Sequence, residues 1–257
     1  MKTGPRGRAA GAGPSFRLVK FRIRNFRKRR FTCPLCRYRG PFEDVAPDTG
    51  VRRHARCPAC GSMERHRLQF LVLKRILEDR DPSQMRVLHI APEEFFRPLF
   101  SSWFEHRDTA DLERFDVDLR LDLCRLPFPE ETYDCVFASH VLEHVPRDVM
   151  AVAEIRRVLK PGGLAILPVP LVAERTIEYP APNPFESGHV RAPGLDYYHR
   201  FETLFSSVDL YPSTVFPDCY QTYEYEDRTA WPTEKCPLLP PMEGERHVDI
   251  VPVCRAG

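Results

Sequence analysis

Two C-x-x-C units, Cys33-Pro34-Leu35-Cys36 and Cys57-Pro58-Ala59-Cys60, stand 20 residues apart near the start of this 257-residue chain. Four thiolates at such a spacing surround one tetrahedral Zn²⁺. The ion organises a stretch too short and too polar to build a core of its own. Residues 31–61 are therefore expected to form a zinc ribbon with Cys33, Cys36, Cys57 and Cys60 as ligands. Pro34 and Pro58 stiffen the knuckles. A redox C-x-x-C would not come twice at ribbon spacing, and four protein ligands leave no open position for catalysis. The chemistry must lie further along.

Charge is unevenly distributed. Residues 1–42 contain no acid, and Lys2 to Arg30 supplies eleven basic residues, although the whole chain carries only +2. A basic block favours a polyanion: nucleic acid, anionic lipid or a phosphorylated substrate. Met1 to Pro14 is Gly/Pro/Arg-rich, so 1–30 is expected to be a basic, partly disordered segment. Phe16, Val19, Ile23 and Phe26 share a helical face, whereas Lys20 to Arg24 alternates like a strand. As a helix the segment suits an anionic membrane surface; a solvated tail is the plainer alternative. The remaining cysteines show no pairing logic, which suits a reducing compartment. No signal-peptide apolar region and no transmembrane run is present, so a cytoplasmic protein is expected.

Ser62 is expected to cap a helix to about Glu78, making 62–82 a linking helix before a domain at 83–257. Apolar runs at Arg86–Ala91, Thr109–Leu112, Val117–Leu123, Tyr133–Ser139 and Leu164–Val169 alternate with helical stripes. Lys160-Pro161-Gly162-Gly163 ends the helix before the last of these. Ser207–Tyr211 and His247–Val253 read as further strands. The pattern predicts an α/β fold: a doubly wound, Rossmann-like sheet with helices on both faces, preceded by the ribbon.

Ligands of such sheets sit beyond the carboxyl ends of the strands. Asp111 lies 20 residues past Ala91, where an acid accepts both hydroxyls of a ribose. Asp122 is placed to accept an adenine amine, and Leu123 to cover the base. Either acid is equally readable as a loop cap. No G-x-G-x-x-G or Walker A sequence occurs, which argues against dinucleotides and ATP.

Three blocks, Asp122 to Pro129, Tyr133 to Pro146 and Arg157 to Gly163, together resemble class I S-adenosylmethionine-dependent methyltransferases of the Methyltransf_11 type. Val87 to Glu93, preceded by Cys57 to Arg67, resembles a bacterial subgroup with an N-terminal zinc ribbon. The resemblance implies S-adenosylmethionine as cofactor, structural zinc, and cofactor contacts at His89, Ala91, Glu93, Asp111, Asp122, Leu123 and Ser139. One departure stands out. The superfamily has a Gly-rich turn after its first strand, where this chain has Ala91-Pro92-Glu93. Pro92 removes a donor and should hold Ala91 extended; Glu93 is then a candidate for the cofactor's amino group.

Methyl transfer from a sulfonium needs mainly an in-line acceptor, plus a base where the acceptor is a hydroxyl. His140, His144 and His189 are the candidates. His140, Glu143 and His144 at i, i+3 and i+4 would share one helical face and could bind a divalent metal; a capping acid with a packed histidine is the plainer reading. Arg175 and Arg191 would hold an acceptor's phosphate or carboxylate, or be solvated loop charges. The expected function is methylation of a small-molecule or glycan-linked acceptor at oxygen. The alternatives are an RNA methyltransferase whose ribbon and basic N-terminus bind RNA, and a non-catalytic scaffold. Chelation is expected to unfold the ribbon and spare the larger domain.

Overall fold

The computed structural model describes residues 16–257; the expectation of disorder at 1–14 lies outside them. The centre is one seven-stranded sheet: β1 (Arg86–Ile90), β2 (His106–Asp111), β3 (Leu119–Arg120), β4 (Tyr133–Ala138), β5 (Leu159–Ile166), β6 (Ser207–Pro212) and β7 (Ile250–Arg255). Their spatial order is β6-β7-β5-β4-β1-β2-β3. β1 to β5 run parallel, while β7 is antiparallel to both β5 and β6. The order reverses at β1, where β4 lies on one side and β2 on the other. That reversal opens a crevice at the carboxyl edge.

Apolar residues on successive positions of the central strands feed two different cores, because strand side chains alternate faces. Val87, Cys135, Phe137, Leu164 and Ile166 pack with Leu68, Val72 and Leu73 of the helix Glu64–Ile76 and with Phe96 and Phe100. Leu88, Ile90, Val136, Ala138 and Ala165 pack with Ala151, Val152 and Ile155 of the helix Asp148–Val158 and with Tyr197, Tyr198 and Phe201. Near-continuous apolar strands buried on both sides are what a parallel sheet requires. The expected Rossmann-like, mostly parallel sheet is present.

Several local expectations are corrected. The helix after the ribbon starts at Glu64 with Met63 as its cap, and the Met63 N–H donates to His66 Nδ1 at 3.1 Å. Ser62 serves the ribbon instead. The third strand is only Leu119–Arg120, because the Asp118 carboxylate takes the Thr109 N–H and hydroxyl and replaces ladder bonds. Ala91 is not extended: its φ is +44°, in the left-handed region, while its N–H still donates to the Ala110 carbonyl at 2.7 Å. Completing that last sheet bond and then leaving the sheet outweighs the preference that Pro92 imposes.

The ribbon is joined to the sheet domain rather than strung from it. Its strand Arg52–Arg56 pairs antiparallel with Glu43–Val45 on one edge and with Tyr225–Glu226 on the other. The helix Phe16–Arg24 lays Leu18 on the ribbon's core. No helix among the described residues is long and apolar enough to cross a membrane.

Candidate active site and metal cluster

Each half of the ribbon makes the same turn. Arg37 N–H donates to the Cys33 carbonyl at 2.9 Å and Gly61 N–H to the Cys57 carbonyl at 2.8 Å. The residue after each knuckle has positive φ, Arg37 at 63° and Gly61 at 78°. The sulfurs of Cys33 and Cys60 are 3.6 Å apart, and those of Cys36 and Cys57 3.7 Å. Tetrahedral coordination with bonds of about 2.3 Å requires sulfurs about 3.8 Å apart, so the residues fit a zinc ion. The Ser62 hydroxyl lies 3.4 Å from Cys33 Sγ and 3.3 Å from Cys60 Sγ, within reach to support thiolate charge.

At the carboxyl edge of β1–β4 lies a cavity of about 670 Å³, lined among others by Ile90, Ala91, Asp111, Asp122, Leu123, His140, His144, Arg147 and Ser187. That size falls in the range of small-molecule sites. Asp111 ends β2, and its Oδ1 accepts from the N–H groups of Glu113 and Arg114 at 2.8 and 3.0 Å. Asp122 Oδ1 accepts from Cys124 N–H at 2.8 Å. Both acids are therefore loop caps, and each also has a second carboxylate oxygen without a hydrogen bond among the described residues. The two readings of these residues are compatible. Leu123 is buried on the wall, and Leu121 and Val141 add apolar surface that the sequence analysis did not single out. The alternation Leu121, Leu123 was the available signal for the first.

His140 turns off the end of β4 with φ +54°, and its N–H donates to the Pro168 carbonyl at 2.9 Å. Its Nδ1 lies 3.5 Å from Oε1 of the buried Glu143. Burial would raise the Glu143 carboxyl, but the His140 imidazole outweighs it and holds the group below the usual carboxylate range. Leu142–His144 is a 3₁₀ turn, so the expected α-helical face through His140, Glu143 and His144 is not formed. His144 lines the cavity, and burial lowers its pKa. His189 lies behind it, off the wall, with ring centroids 4.6 Å apart.

The structure places three predicted contacts elsewhere. His89 points to the opposite face of the sheet, between Phe100 and Phe137, where burial pushes its pKa down to about 3. Glu93 turns toward the ribbon-side helix: Oε1 accepts from Arg65 Nη2 at 2.8 Å and lies 3.3 Å from His66 Nε2. Burial opposes its ionisation, yet His66 and Arg65 bring it down to about 2. Ser139 is buried against Gln69, whose Nε2 donates to its Oγ at 3.0 Å. Arg191 is neither an acceptor clamp nor a solvated charge. It is 2% exposed and donates to the carbonyls of Leu142 at 2.6 Å, Val145 at 2.8 Å and Pro146 at 3.3 Å. It fixes the turn that forms one wall of the cavity, and nothing in its sequence context announced this. Arg175 is exposed.

The family model of the methyltransferase domain matches residues 102–167. An uncharacterised 37.1 kDa protein of a Streptomyces fradiae transposon is 39% identical over 74 residues, 29% of this chain and 21% of its own. An uncharacterised methyltransferase of Mycobacterium avium is 50% identical over 42 residues, 16% of this chain and 17% of its own. The chain thus spans about a fifth of the length of these curated relatives. Among solved structures, a Mesorhizobium loti S-adenosylmethionine-dependent methyltransferase is similar with TM-score 0.48 and 13% identity, over 73% of this chain and 97% of that one. Haemonchus contortus phosphoethanolamine N-methyltransferase 2 is similar with TM-score 0.49 and 15% identity, over 73% and 52%. The matched segment, residues 102–167, contains Asp111, Asp122, Leu123 and His140.

Proposed function

We propose that this chain transfers a methyl group from S-adenosylmethionine to the oxygen of a small-molecule or glycan-linked acceptor, in the cytoplasm. The observation that carries the reading is the pair of acids on the cavity wall. Asp111 and Asp122 each commit one oxygen to the backbone and keep the other for a ligand. Asp111 suits a ribose diol and Asp122 an exocyclic amine, with Leu123 against the base. When bound, the cofactor supplies a methyl group activated by sulfonium charge. Ala91 presents only a methyl group to the cavity and lets a ligand approach the backbone. His140 accepts the proton of an acceptor hydroxyl, with Glu143 orienting its ring. The four cysteines hold a structural Zn²⁺ that keeps the ribbon folded.

Equilibrium binding of S-adenosylmethionine to the zinc-loaded chain tests this reading. Saturable binding supports it; undetectable binding to folded protein leaves the scaffold alternative. A screen of hydroxylated acceptors with labelled methyl donor then identifies the class.

In the helix Phe16–Arg24, Leu18 packs on the ribbon and Phe21 is half-buried, whereas Phe16, Val19 and Ile23, with Phe26 just past the helix, are exposed among Arg17, Lys20, Arg24 and Arg27. An apolar ridge bordered by cations suits an anionic bilayer, which would bring the enzyme to membrane-linked glycans. Co-sedimentation with acidic vesicles, lost with neutral lipid, supports this; binding to RNA fragments instead would favour the RNA reading.

A further inference from the structure

Glu143, His144 and His189 converge beside the cavity from two separate segments. One ligand atom of each lies within 4.8 Å of the other two. Glu143 is 1% exposed, and its Oε2 has no hydrogen-bond partner among the described residues; His189 Nδ1 has none either. An uncompensated buried carboxylate oxygen is costly, and native structures rarely leave one without a partner.

The convergence is built into the fold. His144 ends the 3₁₀ turn after β4, and His189 begins the strand His189–Ala192. Arg191, on that same strand, binds three carbonyls of the turn, so it fixes both histidines relative to each other. The positive φ of Ser187 and Gly188, 56° and 82°, bends the chain so that His189 enters beside His144.

We propose that Glu143, His144 and His189 bind a first-row divalent cation, separate from the ribbon's zinc, whose open positions face the cavity. Two imidazoles and one carboxylate are a donor set that takes such ions and leaves sites for exchangeable ligands. This inference rests on the methyl-transfer reading only for its role. There, the ion binds the acceptor oxygen and polarises its hydroxyl. The O–H bond breaks, the electron pair stays on oxygen, and the proton passes to Nε2 of His140, which has no other partner among the described residues.

The test titrates Mn²⁺ and Co²⁺ into the zinc-loaded full chain by calorimetry, in the absence of methyl donor. One additional equivalent should bind. Its Co²⁺ spectrum should show d–d bands without thiolate charge transfer. His189→Ala and Glu143→Gln should weaken it by more than the roughly 10–100-fold that loss of an outer-shell partner costs. His144→Ala, on the solvent-accessible wall of the cavity, should do the same, so a folding failure of Glu143→Gln does not blunt the test. No equivalent beyond the ribbon's zinc, or binding that survives all three substitutions, overturns the proposal. S-adenosylmethionine binding is measured separately. If the donor binds and the cation does not, only this inference fails; if the cation binds and the donor does not, the methyl-transfer reading fails.

Discussion

The guanidinium of Arg67 donates to the Ala55 carbonyl, 2.9 Å away in the ribbon, and through Nε to the Gln221 carbonyl at 2.8 Å. A third bond reaches Ser62 at 2.6 Å, and the group lies 4.6 Å above the Phe42 ring. One fully buried side chain thus joins the ribbon, its helix and a segment near the C-terminus. Arg67→Met should cost about 3–5 kcal/mol, because several buried carbonyls lose their donor at once. Urea unfolding of the zinc-loaded protein measures this.

Zinc removal should be felt beyond the ribbon. The expectation that chelation spares the larger domain treated the ribbon as free-standing, but Arg52–Arg56 shares its sheet with Tyr225–Glu226. A strong chelator should therefore lower the thermal midpoint of the whole chain. The check is calorimetry before and after chelation: a larger-domain transition that stays at its original temperature would contradict the coupling.

Asp111→Ala and Asp122→Ala should each weaken S-adenosylmethionine binding by about 1–3 kcal/mol, the cost of losing a hydrogen bond to a charged acceptor. Each change also removes a loop cap, so thermal midpoints must be compared alongside. Isothermal titration that finds both affinities unchanged would remove the acids from the site.

Ala91→Gly should stabilise the fold by up to about 1 kcal/mol, since φ near +44° is strained for alanine and free for glycine. Ala91→Val should destabilise and also obstruct the cavity, lowering cofactor affinity. Melting temperature and donor binding together report the two effects.

His89 gives a pH dependence with a definite sign. Its pKa is about 3 in the folded protein, because burial among Phe100 and Phe137 disfavours the charged ring; unfolded, it is about 6.5. The unfolded chain binds the extra proton between these values. Stability from this group is full above about pH 6.5 and falls by about 1.4 kcal/mol per unit as the pH drops. Denaturant midpoints from pH 7 to 5 should fall less in His89→Leu than in the parent.

The sheet and its site edge were legible because parallel strands announce themselves as apolar runs, and because the acids at their ends have a fixed position in such folds. Asp111 was placed by its spacing from Ala91 and Asp122 by its position at the end of the third apolar run, and both line the cavity. His89 and Glu93 could not: the turn at Ala91 decides which residues face the crevice, and its positive φ runs against the local preference before Pro92. Ser139 reads as a strand-end polar group until Gln69 is seen beside it. Arg191 was opaque for a deeper reason. Its partners are main-chain carbonyls about 45 residues away, and carbonyls leave no trace in residue identity.

The ribbon's outer strand is completed by Tyr225 and Glu226, which leave the ribosome long after the knuckles do. Throughout elongation the newborn N-terminal module keeps a bare row of main-chain donors and acceptors. A nonsense product ending ahead of Tyr225 would retain that row permanently, open to pairing with strands of other chains.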